Sequence, residues 1–254
     1  TALDRISFSA SRGEMICVMG PSGCGKSTLL RALGGHMRRK KGQVLFIGLD
    51  LYGDLNDLAA SGSLIPQEDA FDPLLSVLEN IECSASVRCP HLSKAERRRR
   101  ADVKLVELGL AEHRHRIAGT AESKNLSGGE RKRLNAGLDL IGISDIYLFD
   151  EPTSGLSSKD SEHVLEIIRN LSQSKITFVS IHQPSPRLFH MFDKALLLDR
   201  GGKYVFFGTP AEMLEYFHRA HQEQLGRGGD LPVGEPSTLQ PDFIFDVLET
   251  PLRD

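Results

Sequence analysis

Leu126-Ser127-Gly128-Gly129-Glu130 lies between two other short motifs, and the order of the three decides the fold. Upstream is Gly20-Pro21-Ser22-Gly23-Cys24-Gly25-Lys26-Ser27, which matches G-x-x-x-x-G-K-[ST]. Downstream is Ile146-Tyr147-Leu148-Phe149-Asp150-Glu151, an apolar run that ends in two carboxylates. The glycines of the first motif let backbone N–H groups converge on phosphate oxygens where side chains would block approach, and a following helix adds its positive dipole end. Lys26 then reaches the outer phosphates and the Ser27 hydroxyl can ligate Mg²⁺. Asp150, ending a buried strand, should emerge at the sheet edge beside this loop and hold the cation through water. Glu151 is placed to polarise an attacking water as general base. Ser127-Gly128-Gly129 at a helix start offers a second anion-binding end, and Glu130 stands in the capping-box position relative to Ser127.

Outward from these motifs, Ile6 to Ser9 and Glu14 to Met19 read as strands and Lys26 to Leu33 as a helix. Gln43 to Ile47 and Gly62 to Ile65 are short strand-like runs. Leu74 to Cys83, Lys94 to Leu110 and Gly128 to Ile141 read as helices, the last with Leu134, Leu138 and Ile141 at helical spacing. Strand signals return at Ile146 to Phe149 and Ile176 to Ile181. Between them is a helix from about Ser158 to Leu171, with Val164, Ile167, Ile168 and Leu171 on one face. Ala195 to Leu198 and Tyr204 to Phe207 flank Arg200-Gly201-Gly202 as a late hairpin. Alternating strand and helix implies an α/β core with parallel strands, with a helical block between Gln67 and Asp145 inserted into it. Residues 222–241, rich in Gly, Pro and Gln, read as a connector. Arg97 to Arg100, with Lys94, reads as a solvated helix face.

The net charge of -3 and pI near 6.3 argue against a nucleic-acid partner. No stretch approaches the roughly 18 uninterrupted apolar residues of a membrane helix. A transmembrane partner is therefore expected elsewhere in the native protein or on another chain. Cys17, Cys24, Cys83 and Cys89 show no zinc spacing and read as reduced thiols. No secretion signal is visible, and a start at Thr1 suggests an excised piece.

In this motif order the chain resembles the nucleotide-binding domain of ATP-binding-cassette (ABC) transporters over nearly its full length. The resemblance implies a P-loop NTPase (RecA-like) core with a mostly parallel sheet, an antiparallel β subdomain and an inserted helical subdomain. It implies one domain over 1–254: a core of about 1–66 and 142–218, a helical part of about 67–141 and a connector of about 219–254. ATP and Mg²⁺ are the implied cofactors, with Gly20, Pro21, Ser22, Gly23, Cys24, Gly25, Lys26, Ser27 and Thr28 cradling nucleotide. Ser127, Gly128, Gly129 and Glu130 would complete the site of a second copy in a head-to-tail dimer. Gln67, in Ile65-Pro66-Gln67-Glu68-Asp69, is similar to the family's Q-loop glutamine, which senses Mg²⁺ and attacking water and touches the membrane domain. His182, in Ser180-Ile181-His182-Gln183-Pro184, is similar to its switch histidine. The implied metal set is Ser27, Gln67 and Asp150. His182-Gln183-Pro184-Ser185, Phe207-Gly208-Thr209-Pro210, Glu215-Tyr216-Phe217 and Pro241-Asp242-Phe243 resemble the G subfamily and its bacterial relatives. That implies an ATPase at the cytoplasmic face of a membrane, serving an exporter.

The sequence departs from the pattern at Ser157, where the D-loop normally carries aspartate after Ser154-Gly155-Leu156. Serine caps a helix about as well, so the fold should tolerate it, while communication between two ATP sites is placed in question. The adenine-stacking aromatic is expected before Thr1. Cys24, near a helix start and Lys26, is expected to have a lowered thiol pKa and ATP-protected reactivity, or else to be a small residue tolerated at a variable position. Two other functions fit parts of the pattern: an ABC ATPase acting on DNA or ribosomes, and an ATP-gated regulatory module without turnover. The missing coiled coil, the single cassette and the balanced charge weigh against the first, and Glu151 with His182 against the second.

Overall fold

Met15-Ile16-Cys17-Val18-Met19 contains no polar side chain, and the structure buries all of it. The computed structural model describes residues 3–37, 41–50, 52, 62–123, 125–171, 173–225 and 241–249. Its strands are β1 (Met15–Met19), β2 (Leu45–Phe46), β3 (Leu49–Asp50), β4 (Gly62–Ile65), β5 (Ile146–Phe149), β6 (Ile176–Ser180), β7 (Lys194–Asp199) and β8 (Lys203–Gly208). The main sheet has six strands in the order β4-β5-β6-β1-β7-β8. All neighbours are parallel except β7 and β8, which form the hairpin expected around Gly201-Gly202.

Successive side chains of a strand face opposite ways, and here both directions lead into apolar packing. Met15, Cys17 and Met19 join one cluster with Tyr147, Phe149, Val179 and Leu197. Ile16 and Val18 join another with Ile146, Leu148, Phe178, Leu196 and Leu198. Burial of each large apolar side chain contributes roughly 1.5–3 kcal/mol, against about 1 kcal/mol at most for an exposed ion pair. Packing on both faces therefore decides the fold.

The helices are α1 (Lys26–Leu33), α2 (Val77–Arg88), α3 (Lys94–Glu107), α4 (Gly128–Leu140), α5 (Ser158–Leu171), α6 (Pro186–Phe189), α7 (Pro210–Leu225) and α8 (Asp242–Glu249). Leu29 and Leu30 of α1 cover the second cluster, and Val164, Leu165, Ile167 and Ile168 of α5 the first. α5 is tied to the start of β1 through Asp193, which accepts from Arg169 in a bidentate pair and from the Met15 N–H at 2.8 Å. Between β4 and β5, α2, α3 and α4 each begin with a capping box: Ser76 with Glu79, Ser93 with Glu96, Ser127 with Glu130.

Several sequence expectations move. Ile6 to Ser9 is not a strand; only Asp4 bridges to Lys203, and Phe8 instead packs against Phe178 and Phe207. The run from Gln43 forms only β2, which turns through Ile47-Gly48, both at positive φ, into β3. That is the backbone of a type I′ hairpin. The helix expected from Leu74 starts at Val77, because the Ser76 hydroxyl caps it and Leu74 is exposed. The basic run of α3 is not wholly solvated. Arg100 turns inward and donates to the Ile141 carbonyl at 2.7 Å and to that of Gly142, at the end of α4. Of the connector expected over residues 222–241, the first four residues belong to α7, which continues to Leu225; residues 226–240 and 250–254 lie outside the described residues.

Asp139 on α4 is buried and paired with Arg88 of α2. Burial pushes its pKa up to about 6, and Arg88 offsets only part of that rise. A carboxyl raised in the folded state binds its proton more tightly there than when unfolded. Its contribution is therefore present below the unfolded value near 3.9 and is lost as pH rises to about 6. Denaturant titrations between pH 4.5 and 7 should show this decline in the wild-type protein and a flatter profile in Asp139→Asn; identical profiles would count against it.

Candidate nucleotide site

In a parallel sheet the chain leaves every strand at the same end, and ligands bind in the crevice there. β1 delivers Gly20 to that end, β5 delivers Asp150 and Glu151, β6 ends at Ser180, and β4 leads to Pro66 and Gln67. β6 lies between β5 and β1, so Asp150 is one strand removed from the loop strand. Two side chains close that gap, and Gln67 joins from the β4 side. Ser27 Oγ donates to Asp150 Oδ1 at 3.0 Å, and Ser180 Oγ donates to the same oxygen at 2.8 Å. Gln67 Nε2 donates to Glu151 Oε2 at 3.2 Å and reaches Ser154 Oγ at 3.3 Å.

The loop itself needs its glycines. A Cβ on Gly20 would lie 2.2 Å from the Leu198 carbonyl oxygen of β7, an impossible contact. Gly25 precedes α1 at φ 108, with no side-chain cap, so the first-turn amides of α1 have no side-chain acceptor. Lys26 is buried, and its Nζ donates to the Gly20 carbonyl at 2.9 Å and that of Pro21 at 3.3 Å. The loop thus wraps its own lysine. Ser22 and Gly23 are exposed at the rim, and Thr28 is half-buried on α1.

His182 follows β6 by two residues, is exposed, and makes no hydrogen bond among the described residues. Ser127, Gly128, Gly129 and Glu130 start α4, and no hydrogen bond joins them to residues 20–28. Gly128 instead packs beside the D-loop, where a Cβ would come 3.0 Å from Leu156 Cδ2. Ser127 accepts from the Glu130 N–H at 3.2 Å, and Glu130 Oε2 accepts from the Ser127 N–H at 2.7 Å. Burial opposes ionisation of Glu130, but the Ser127 amide, His113 and Arg133 outweigh it and its pKa falls. Ser157 does cap α5, accepting from the Asp160 N–H at 3.2 Å.

Sequence reasoning missed two groups. Ser180 was visible only as a polar residue closing an apolar strand. Asn135 reads only as one more polar residue, between Leu134 and Ala136, on a helix that also carries Glu130, Arg131, Lys132, Arg133 and Asp139. Buried at 2% exposure, Asn135 accepts from the Ala70 N–H at 2.7 Å and donates to the Pro66 and Glu68 carbonyls, each at 3.1 Å. Its neighbour Arg131 holds Asp69 and lies over the Phe71 ring, and Lys132 donates to the Gln67 carbonyl. Together they fasten the segment carrying Gln67 to α4.

A family model described as ABC transporter matches residues 3–154, and one described as ABC-2 type transporter matches residues 182–250. The second stretch holds α6, the β7–β8 hairpin, α7 and α8; no helix among the described residues is long and apolar enough to cross a membrane. ABC transporter G family member 19 of Arabidopsis thaliana is 35% identical over 252 residues, 98% of this chain and 33% of that protein. ABC transporter G family member 5 of Oryza sativa subsp. japonica is 35% identical over 253 residues, 98% of this chain and 30% of that protein. An ABC transporter ATP-binding protein/permease of Saccharomyces cerevisiae is 38% identical over 219 residues, 81% of this chain and 16% of that protein. The chain spans a third or less of the length of these relatives.

Of the two sequence readings of Cys24, the lowered thiol pKa does not hold. It is buried, which pushes its thiol pKa up; Lys26 and the loop amides pull the other way without prevailing. The thiolate is the reactive form. Brief alkylation at neutral pH, followed by peptide mass mapping, should label the exposed Cys83 and spare Cys24, with or without ATP. Faster labelling of Cys24 than of Cys83 would reverse that assignment.

Proposed function

The chain belongs to the ABC transporter family, as an ATPase domain similar to its G members, and from this we propose that it hydrolyses Mg²⁺-ATP between two copies of itself to drive export across a membrane. The observation that supports this most is the pair of side-chain bonds at the sheet's carboxyl end, Ser27 to Asp150 and Gln67 to Glu151. They bring the phosphate-loop hydroxyl, the cation carboxylate and the candidate base into one crevice, although far apart in sequence.

The donor set suits magnesium. The Ser27 hydroxyl, the Asp150 carboxylate and the Gln67 side-chain carbonyl are hard oxygens, as that cation prefers. Bound there, it would neutralise charge on the outer phosphates. Asp150 Oδ1 already accepts from two hydroxyls, so Oδ2 is the oxygen left to face the cation or its water. Residues 20–28 would cradle the phosphates, with Lys26 exchanging the loop carbonyls for phosphate oxygens. Glu151 would take the proton from the attacking water, with Gln67 holding its carboxylate in place. His182 would approach the terminal phosphate from the end of β6.

Ser127, Gly128, Gly129 and Glu130 would act on the nucleotide of the second copy. The capping box supports this role by ordering the α4 terminus, whose first amides are the anion-binding groups. The transmembrane domain would lie in the remainder of a longer chain or on a separate subunit, with this domain at the cytoplasmic face. Length relative to the G-family relatives supports the one-chain arrangement.

Glu151→Gln should retain ATP affinity while turnover falls about 100-fold or more, the typical contribution of a general base. Lys26→Met should instead weaken ATP binding about tenfold to a hundredfold, the loss expected for charge-assisted bonds to phosphate. Steady-state hydrolysis and equilibrium nucleotide binding separate the two effects. A Glu151→Gln protein that turns over at the wild-type rate would remove Glu151 from the role of base.

A further inference from the structure

We infer that Ser180 is a positioning residue of the hydrolytic site, its one hydroxyl setting both the Asp150 carboxylate and the backbone of Glu151. The inference rests on the proposed hydrolysis of ATP at this crevice. It concerns a residue that belongs to none of the three motifs.

Ser180 is the last residue of β6 and has no exposed surface. It pairs with Val18 of β1, while the preceding Val179 pairs with Phe149 of β5. Ser180 is therefore level with Asp150 and stands between the strand that leads into the phosphate loop and the strand that carries the carboxylates. Its Oγ donates to Asp150 Oδ1 at 2.8 Å and accepts from the Glu151 N–H at 2.9 Å. The Phe149 carbonyl, at 3.4 Å, is the weaker acceptor for the same proton. A hydroxyl has one proton and two lone pairs, so donating to one group and accepting from the other uses it in both capacities at once.

Both partners need fixing. Asp150 has a rotatable carboxylate, and Ser27 alone leaves it hinged about a single bond at 3.0 Å. A second hydroxyl on the same oxygen settles which oxygen faces the cation. Glu151 has φ 47, in the left-handed region that a residue with a Cβ occupies only under constraint. Its amide is held by Ser180 and its side chain by Gln67. The direction of the Glu151 carboxylate follows from that backbone. One oxygen atom thus links the position of the cation carboxylate to that of the base.

The test uses the protein at its natural length, purified with its membrane region where it has one. Ser180→Ala should keep its melting temperature within a few degrees and its KM for ATP within about twofold. It should lose about tenfold or more in kcat, the scale of one hydrogen bond withdrawn from each of two reacting groups, and should need several-fold more Mg²⁺ for half-maximal rate. Ser180→Thr, which keeps the hydroxyl, should recover most of the turnover. If the alanine protein does not fold, Ser180→Cys fills the same space with a poor donor and acceptor and should show the same kcat loss.

A folded Ser180→Ala protein with kcat and Mg²⁺ dependence within twofold of wild type would overturn the inference. So would a kcat loss matched by an equal fall in thermal stability and no recovery with threonine, because that is the signature of packing. Failure of the underlying function looks different: the wild-type protein itself would not hydrolyse ATP, or Glu151→Gln would hydrolyse it as fast as wild type.

Discussion

A parallel sheet packed on both faces leaves only its ends for chemistry, and that constraint governs this molecule. β1 is buried on every residue, with alternate side chains in two separate apolar clusters. A polar group on such a strand costs desolvation unless a hydrogen bond meets it. The glycine loop, the two carboxylates and Gln67 therefore begin one or two residues past a strand's carboxyl end. Gly20 follows Met19, Asp150 follows Phe149, and Gln67 follows Ile65 by two. Parallel order puts these exits side by side, and short hydrogen bonds then join residues more than a hundred positions apart, as between Ser27 and Asp150.

The same constraint explains which features were legible in the sequence. Residues 20–28, Ser127 to Glu130 and the end of β5 are local: each couples a strand or helix boundary to a fixed spacing of glycine, hydroxyl and acid. Strand order is not local. Nothing in Ile146 to Glu151 says that β6 will separate it from β1, so the need for Ser180 as a bridge could not be read. Ile6 to Ser9 has strand-like alternation, yet Ile6 and Phe8 pack against the second cluster without joining the ladder. Cys24 shows the limit of reading charge from neighbours in sequence. A helix start and a lysine both favour the thiolate, but burial prevails, and burial is a property of the folded chain.

Asn135 adds a mechanical consequence. The segment from Pro66 to Phe71 has few backbone partners of its own, and α4 supplies them through Asn135, Arg131 and Lys132. Gln67 is thus placed from two sides: its carbonyl by α4, its amide group by Glu151 and Ser154. A displacement of α4 relative to the sheet would strain one or the other. The helix that begins with Ser127 to Glu130 is consequently in direct mechanical contact with the residue beside the candidate base.

Ser157 can be judged in the same terms. An aspartate at this position would have offered a carboxylate at the start of α5; serine offers a hydroxyl that caps equally well. It accepts from the Asp160 N–H and donates to Asp160 Oδ2 at 2.7 Å. A carboxylate is therefore still present at this helix start, moved three residues along the chain and held by the residue that replaced it. Asp160 also helps offset the charge of Arg133, whose guanidinium is mostly buried and lies against Gly129. The charges of Glu130 on its own helix and Asp160 on α5 thus both act on Arg133, against the burial that lowers its pKa. Ser157 and Asp160 thus cap α5 together, and Gly128 and Gly129 at the start of α4 lie beside Leu156 and Asp160 of the same chain.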